Sequence, residues 1–242
     1  MKLSIIIPVL NSHEIVRRQY IHWRKMLLPP EVEIILIDDG SDPPIEYPKH
    51  RFRNLYIHKT NDKRLWTWAL ARNKGAEIAK GEYLLMCDLD YIIPEDVIYD
   101  CLKFDKDYRG FRRQFGILDE NGNFVQTVEA LKQWGWPEDR FETRGFELPP
   151  HPNDFLIKRD KFFEMGGYRE DLFEKPYPQG EDRHFKKTRM QWEKKGKLVC
   201  DWETRPTIYM FPNGQFCGDV DFNPFHLFHD LTRKTEANPF WT

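Results

Sequence analysis

Through the first hundred residues, short apolar runs alternate with stretches of helical periodicity. Leu3-Ser4-Ile5-Ile6-Ile7 is a β-branched run of the kind found in strands covered on both faces. A helix is predicted over 12–28: Asn11 with Glu14 three positions on has capping-box spacing, and Pro29-Pro30 closes the stretch. A second strand over 32–37 stops at the polar turn Asp38-Asp39-Gly40-Ser41-Asp42, and a third covers 54–58. Residues 64–80 read as a helix from the spacing of Leu65, Trp68, Ala69, Arg72, Ala76 and Ala79, with Gly81 as its cap. The fourth strand, 83–87, runs straight into Asp88-Leu89-Asp90, and Pro94 opens a helix over about 95–105.

This alternation predicts an α/β fold with a mostly parallel, Rossmann-like central sheet and helices on both faces. Such sheets bind ligands beyond the carboxyl ends of their strands. Three polar clusters fall there, at 8–11, 38–42 and 88–90, so groups distant in sequence converge on one edge. The second half is less regular. Residues 112–118 and 123–128 flank the turn Asp119-Glu120-Asn121-Gly122, a hairpin signal. Residues 134–152, rich in Pro, Gly and aromatics, read as a loop. A short helix over 160–165 ends at Gly166-Gly167, and a longer one over 181–195 ends at Gly196. The whole chain, 1–242, reads as one domain in two halves, 1–105 and 106–242.

Composition narrows the classes. A chain of 242 residues suits one large domain, and 40% hydrophobic with 31% charged residues is ordinary for a globular protein. A net charge of −2 argues against a nucleic-acid coat. No stretch approaches the roughly 20 apolar residues that span a bilayer. The apolar start ends at Leu10 with no small-residue cleavage site, which fits a strand better than a signal peptide. Cys87, Cys101, Cys200 and Cys217 are scattered without a C-x-x-C pair, as expected of free thiols in a reducing cytoplasm. Aromatics at 15% serve core packing and sugar stacking equally well.

The D-x-D pattern occurs three times, at Asp88-Leu89-Asp90, Asp105-Lys106-Asp107 and Asp219-Val220-Asp221. The first differs in context, because five apolar residues hold it against the core. Two adjacent carboxylates raise each other's pKa, and a hard divalent cation, Mn²⁺ or Mg²⁺, relieves that conflict. On the residues alone, a metal site and helix-capping acids both stand open. Glu181-Asp182 begins a helix, where acids gain about 0.3–1 kcal/mol from the dipole; the other reading is a general base. His226 and His229 sit among aromatics, as packed residues or as metal ligands. Residues 183–197 hold seven Lys and Arg against one acid. That is a solvated face by default, or a surface for a phosphate-bearing acceptor or an anionic membrane.

As a set, these pieces resemble the family-2 glycosyltransferases of GT-A fold. The resemblance rests on Ser4 through Asn11, Ile37-Asp38-Asp39-Gly40-Ser41-Asp42, Ala71-Arg72-Asn73-Lys74-Gly75, Gly81-Glu82-Tyr83 through Asp90, Gly166-Gly167-Tyr168 and Gly180-Glu181-Asp182. It implies a nucleotide-sugar site in which Pro8, Val9, Asn11 and Asp39 hold the base and ribose, and Arg64 and Arg72 lie near the diphosphate. Asp90 would bind Mn²⁺ or Mg²⁺ directly, Asp88 would meet the ribose or a metal-bound water, and His229 or His226 would complete the shell. Asp182 would be the catalytic base, with Glu181 beside it on the acceptor and donor-sugar side. The implied reaction is inverting transfer from a nucleoside-diphosphate sugar, UDP by family habit, to a glycan, lipid-linked or other glycoconjugate acceptor. Residues 1–105 would bind the nucleotide sugar, and 106–242 the acceptor. The implied location is cytoplasmic, with peripheral contact at the inner membrane face. The pattern departs at Tyr91, where relatives often carry an acid, and at His184-Phe185, and the acceptor region 110–152 carries no motif of the resemblance, which leaves the acceptor open. A sugar-1-phosphate nucleotidyltransferase would need a Gly-rich basic loop where Pro8-Val9-Leu10-Asn11 stands, and a non-catalytic nucleotide-sugar-binding module would have no use for Glu181-Asp182.

Overall fold

A computed structural model describes residues 1–50, 52–62, 68–134, 145–171 and 181–212. Strand β1 (Leu3–Val9) lies at the heart of the main sheet. It pairs in parallel with β2 (Val32–Asp38) and with β4 (Tyr83–Met86), and β2 pairs in parallel with β3 (Leu55–Lys59). Beyond β4, the antiparallel strand β11 (Phe155–Lys158) joins it to β6 (Tyr108–Gly110) and then to β12 (Cys200–Asp201). The seven strands thus run in the order β12-β6-β11-β4-β1-β2-β3, mostly parallel with β11 reversed. A second sheet contains β5 (Tyr91–Ile92), β7 (Arg112–Phe115), β10 (Glu147–Leu148) and β13 (Thr207–Met210). The hairpin signal is met by β8 (Ile117–Leu118) against β9 (Phe124–Val125), while the start of the predicted 112–118 strand goes to the second sheet.

The helices are α1 (His13–Lys25), α2 (Trp68–Ile78), α3 (Glu95–Leu102), α4 (Val128–Gln133), α5 (Arg159–Glu164) and α6 (Glu181–Lys194). They cover both faces of the main sheet, which is why its central strands β1, β2 and β4 are largely apolar. Leu3, Ile5, Ile7 and Val9 of β1 enter one core with Val32, Ile34, Leu36 and Leu85, together with Ile15, Trp23 and Ile98 of α1 and α3. Ile6, Ile35, Ile37, Leu84 and Met86 point the other way, into a second core with Ala69, Ala76, Phe162 and Phe185 of α2, α5 and α6.

Three local expectations are corrected. Asn11 does not cap α1: the N-cap is Ser12, without a side-chain cap bond, and Glu14 pairs instead with Arg17 and Arg18. The helix ends at Lys25, before Pro29-Pro30, because Met26 turns to extended backbone. Gly81 is not a left-handed cap. Its N–H donates to the Ser4 hydroxyl at 2.8 Å, and a Cβ there would meet the Ser4 backbone nitrogen at 2.6 Å. That close approach also satisfies a buried acid, since Ser4 Oγ and Lys80 N both donate to Glu33 Oε1, at 2.6 and 2.7 Å. Gly81→Ala is therefore expected to cost about 1–3 kcal/mol of stability, the usual cost of overpacking. A denaturation midpoint equal to wild type would remove this reading.

Candidate functional site

The ends of β1 and β2 are tied together by backbone and side-chain bonds. Asn11, at φ 47, receives the Asp42 N–H on its side-chain oxygen at 2.8 Å and donates its own N–H to Ser41 Oγ at 3.0 Å. Asp39 N donates to Val9 O at 2.8 Å. The Asp38 carboxylate accepts the N–H groups of Ser41 and Ile45, both at 2.9 Å, so it shapes the turn rather than facing a ligand. Gly40 sits at φ 93 with Asp62 O only 2.8 Å from where a Cβ would stand, so the turn requires glycine. Pro8, Val9, Asn11 and Asp39 are thereby brought to one place.

Beside them, α2 delivers Arg72 into the core at 1% exposure, where its guanidinium forms an ion pair with Asp88. The guanidinium lies 5.4 Å from the centre of the Tyr168 ring. Asn73 holds that tyrosine in place: its amide donates to Tyr168 O and accepts from Tyr168 N, at 2.8 and 2.9 Å. The Ala71-Arg72-Asn73 and Gly166-Gly167-Tyr168 pieces are thus one unit.

Two residues missed in the sequence arrive just ahead of the reversed strand. Phe155 pairs with Met86 in antiparallel register, so the residues before Phe155 and those after Met86 meet at one edge of the sheet. There Asp88, His151 and Asp154 place ligand atoms all within 4.8 Å of one another. Asp154 is 2% exposed, and among the described residues the Tyr91 hydroxyl and the Arg113 guanidinium are the donors that stand by its carboxylate. Its nearest cation is Arg113, at 3.6 Å, and Arg113 also donates to the Tyr91 hydroxyl and to Pro149 O. Burial first, and Asp88 second, push the Asp154 carboxyl up to about 8, with Arg113 pulling the other way. Asp90 is buried as well, with one oxygen lacking a hydrogen bond among the described residues. Burial, then Asp88 and Asp154, hold its carboxyl well above the usual range. Burial lowers the His151 pKa, against the opposing pull of Asp88 and Asp182. Asp182, at the first turn of α6, is therefore within electrostatic reach of the same site.

Oxygen, nitrogen and oxygen donors around excess buried negative charge suit a hard divalent cation. Of the expected ligands, Asp88 belongs to this trio. Asp90 adjoins it but does not belong, and His226 and His229 lie outside the described residues, as does Arg64. The signal that would have exposed the other two members of the trio is the mirror image of D-x-D. His151-Pro152-Asn153-Asp154 precedes an apolar strand just as Asp88 follows one. An apolar groove of about 480 Å³, lined by His13, Val16, Tyr20, Pro43 and Ile45 among others, shares no residue with the site.

A pH dependence follows. An unfolded Asp titrates near 3.9. With the folded carboxyl at about 8, folding takes up a proton between those limits, so stability falls as pH rises through that window. Cation-free protein is expected to melt at a lower temperature at pH 8 than at pH 5, and Asp154→Asn should flatten the trend. Equal slopes in both proteins would contradict it.

A mostly parallel sheet with one reversed strand and a carboxylate cluster at its carboxyl edge defines a GT-A fold. Solved structures share it, two of them as follows. One is a mannosyltransferase from Pyrobaculum calidifontis in complex with GDP-Man and Mn²⁺ (TM-score 0.54, 15% identity, 95% of this chain and 60% of that one). The other is S. aureus TarS 1–349 in complex with UDP (TM-score 0.51, 17% identity, 76% and 54%). Residues 4–176 match glycosyl transferase family 2, and the chain belongs to that family. It is 27% identical over 187 residues to glycosyltransferase GlyG of Streptococcus pneumoniae, covering 67% of this chain and 58% of the relative. It is 30% identical over 112 residues to a poly(ribitol-phosphate) beta-glucosyltransferase of Bacillus spizizenii, covering 44% and 18%. An uncharacterised glycosyltransferase of Rickettsia conorii is 30% identical over 139 residues, covering 53% and 22%. The chain thus spans less than two thirds of the length of each of these relatives.

Proposed function

We propose that this chain is an inverting glycosyltransferase that moves a sugar from a nucleoside-diphosphate sugar, with UDP as the nucleotide, to an acceptor hydroxyl on a glycan or glycoconjugate. The observation that carries this reading is the Asp88, His151 and Asp154 trio at the edge where Asn11, Asp39 and Arg72 also converge. The relatives' own names and ligands, a GDP-Man complex with Mn²⁺ and a UDP complex among them, support it.

In this reading the linked ends of β1 and β2 receive the base and ribose through Pro8, Val9, Asn11 and Asp39. Arg72 meets the diphosphate, with Arg64 in support. Asp88, His151 and Asp154, with Asp90 adjoining and a late histidine from His226 or His229, would hold Mn²⁺ or Mg²⁺. Such a cation supplies charge neutralisation for the departing diphosphate. Asp182 takes the proton of the acceptor hydroxyl as its oxygen bonds to the anomeric carbon. The bond from that carbon to the diphosphate breaks on the opposite face, and the configuration inverts. Glu181 stands next to the base on the acceptor side. The acting protein works in the cytoplasm.

A thermal-shift panel of UDP-glucose, UDP-N-acetylglucosamine and GDP-mannose, with Mn²⁺ or with chelator, tests this. One donor should raise the melting temperature only when the cation is present; a donor at a hundredfold its Kd adds about 2.7 kcal/mol. No shift from any donor, or full transfer activity in excess chelator, would overturn the reading.

A further inference from the structure

The basic run over 183–197 plays no part in the chemistry above. It holds Arg183, Lys186, Lys187, Arg189, Lys194, Lys195 and Lys197 against Glu193 alone, in a chain whose net charge is −2. The structure divides these cations into two groups. Arg189 is buried: it pairs with Glu193 at 2.6 Å and lies 4.9 Å from the Trp202 ring centre. The remaining six are exposed. Helical spacing puts Arg183, Lys186, Lys187, Met190 and Lys194 on one face of α6.

The same region carries bare apolar surface. Met190 is 52% exposed, Val199 56% and Trp202 40%, spread from α6 to the residue that follows β12. Trp202 is not loose. Its indole N–H donates to Glu193 Oε1 at 2.6 Å and its ring packs near Tyr108, so an anchored indole stands beside the helix. A merely solvated basic face has no need of these groups. A face for a soluble polyanion would need the cations but not the exposed methionine and valine. Cations beside an indole and short apolar side chains suit the interface of a bilayer with anionic headgroups.

We propose that the outer face of α6 with the turn into β12 docks this protein on an anionic membrane surface. The helix begins beside Asp182 and is 14 residues long, so a bilayer seated on it lies within about 20 Å of the proposed base. This deepens the functional reading by favouring an acceptor presented at a membrane, yet its test needs no donor and stands or falls separately.

The experiment is co-sedimentation with vesicles of phosphatidylcholine alone or mixed with phosphatidylglycerol, at about 0.1 M salt. Binding is expected only with the anionic lipid. Each basic residue near such a surface is worth about fivefold in partitioning, so K186Q/K187Q/K194Q should weaken it about a hundredfold. Met190→Ser with Val199→Ser should weaken it several-fold, and raising salt should weaken wild type without any substitution. Absence of binding to the mixed vesicles overturns the proposal, as does binding unchanged by the triple variant or by salt. Binding unchanged by the apolar pair, and displaced by soluble polyphosphate, would assign the face to a soluble polyanion instead.

Discussion

Asp182→Asn is expected to lower the rate of sugar transfer by about 10²–10⁴-fold, the range that one positioned general base supplies. Donor binding should survive. Asp182 is the second residue of α6, and among the described residues its carboxylate accepts the adjacent Arg183 N–H, at 2.6 Å. Asparagine keeps that acceptor and the volume of the side chain, so the helix start should be undisturbed. The loss should therefore fall on kcat rather than on the donor's dissociation constant. Initial rates with acceptor, beside UDP titrations of the same variant, separate the two. Near-normal turnover would remove Asp182 from the role of base.

Asp88→Ala is expected to act on stability as well as on activity. It strips the buried Arg72 guanidinium of its ion pair, and breaking one partner of a buried pair typically costs about 3–5 kcal/mol. Adding Arg72→Met should restore much of that stability, because an apolar side chain of similar length replaces the charge. Activity should not return, since the double variant lacks a member of the proposed cation trio and the residue assigned to the diphosphate. Chemical denaturation and transfer assays on the single and double variants check both halves. A stable but inactive single variant would mean that the pair matters little to folding.

Much of the main sheet was legible because its strands are buried on both faces. Residues 3–7, 32–37 and 83–87 are short apolar runs that few other structures accommodate, and the observed strands match them to within one or two residues. The convergence of the 8–11, 38–42 and 88–90 clusters followed from parallel pairing alone. What escaped was set by tertiary contacts. The Asn11–Glu14 spacing mimicked a cap, but the asparagine clamps the neighbouring turn across 31 positions, which no local pattern encodes. The antiparallel entry of β11 was equally invisible, and with it His151 and Asp154. A D-x-D motif directs attention to one side of the sheet edge, and the opposing side chains arrive just ahead of a strand more than sixty residues later.

The central claim is that the edge formed by β1, β2, β4 and the start of β11 is one cation-assisted donor site. Mn²⁺ binding measured by electron paramagnetic resonance, with UDP present, tests it most directly in wild type and in Asp154→Asn. Wild type should bind one Mn²⁺ per chain, and the variant, folded by circular dichroism, should bind it at least tenfold more weakly, as loss of a ligand requires. Equal Mn²⁺ affinity in the two proteins would contradict the claim.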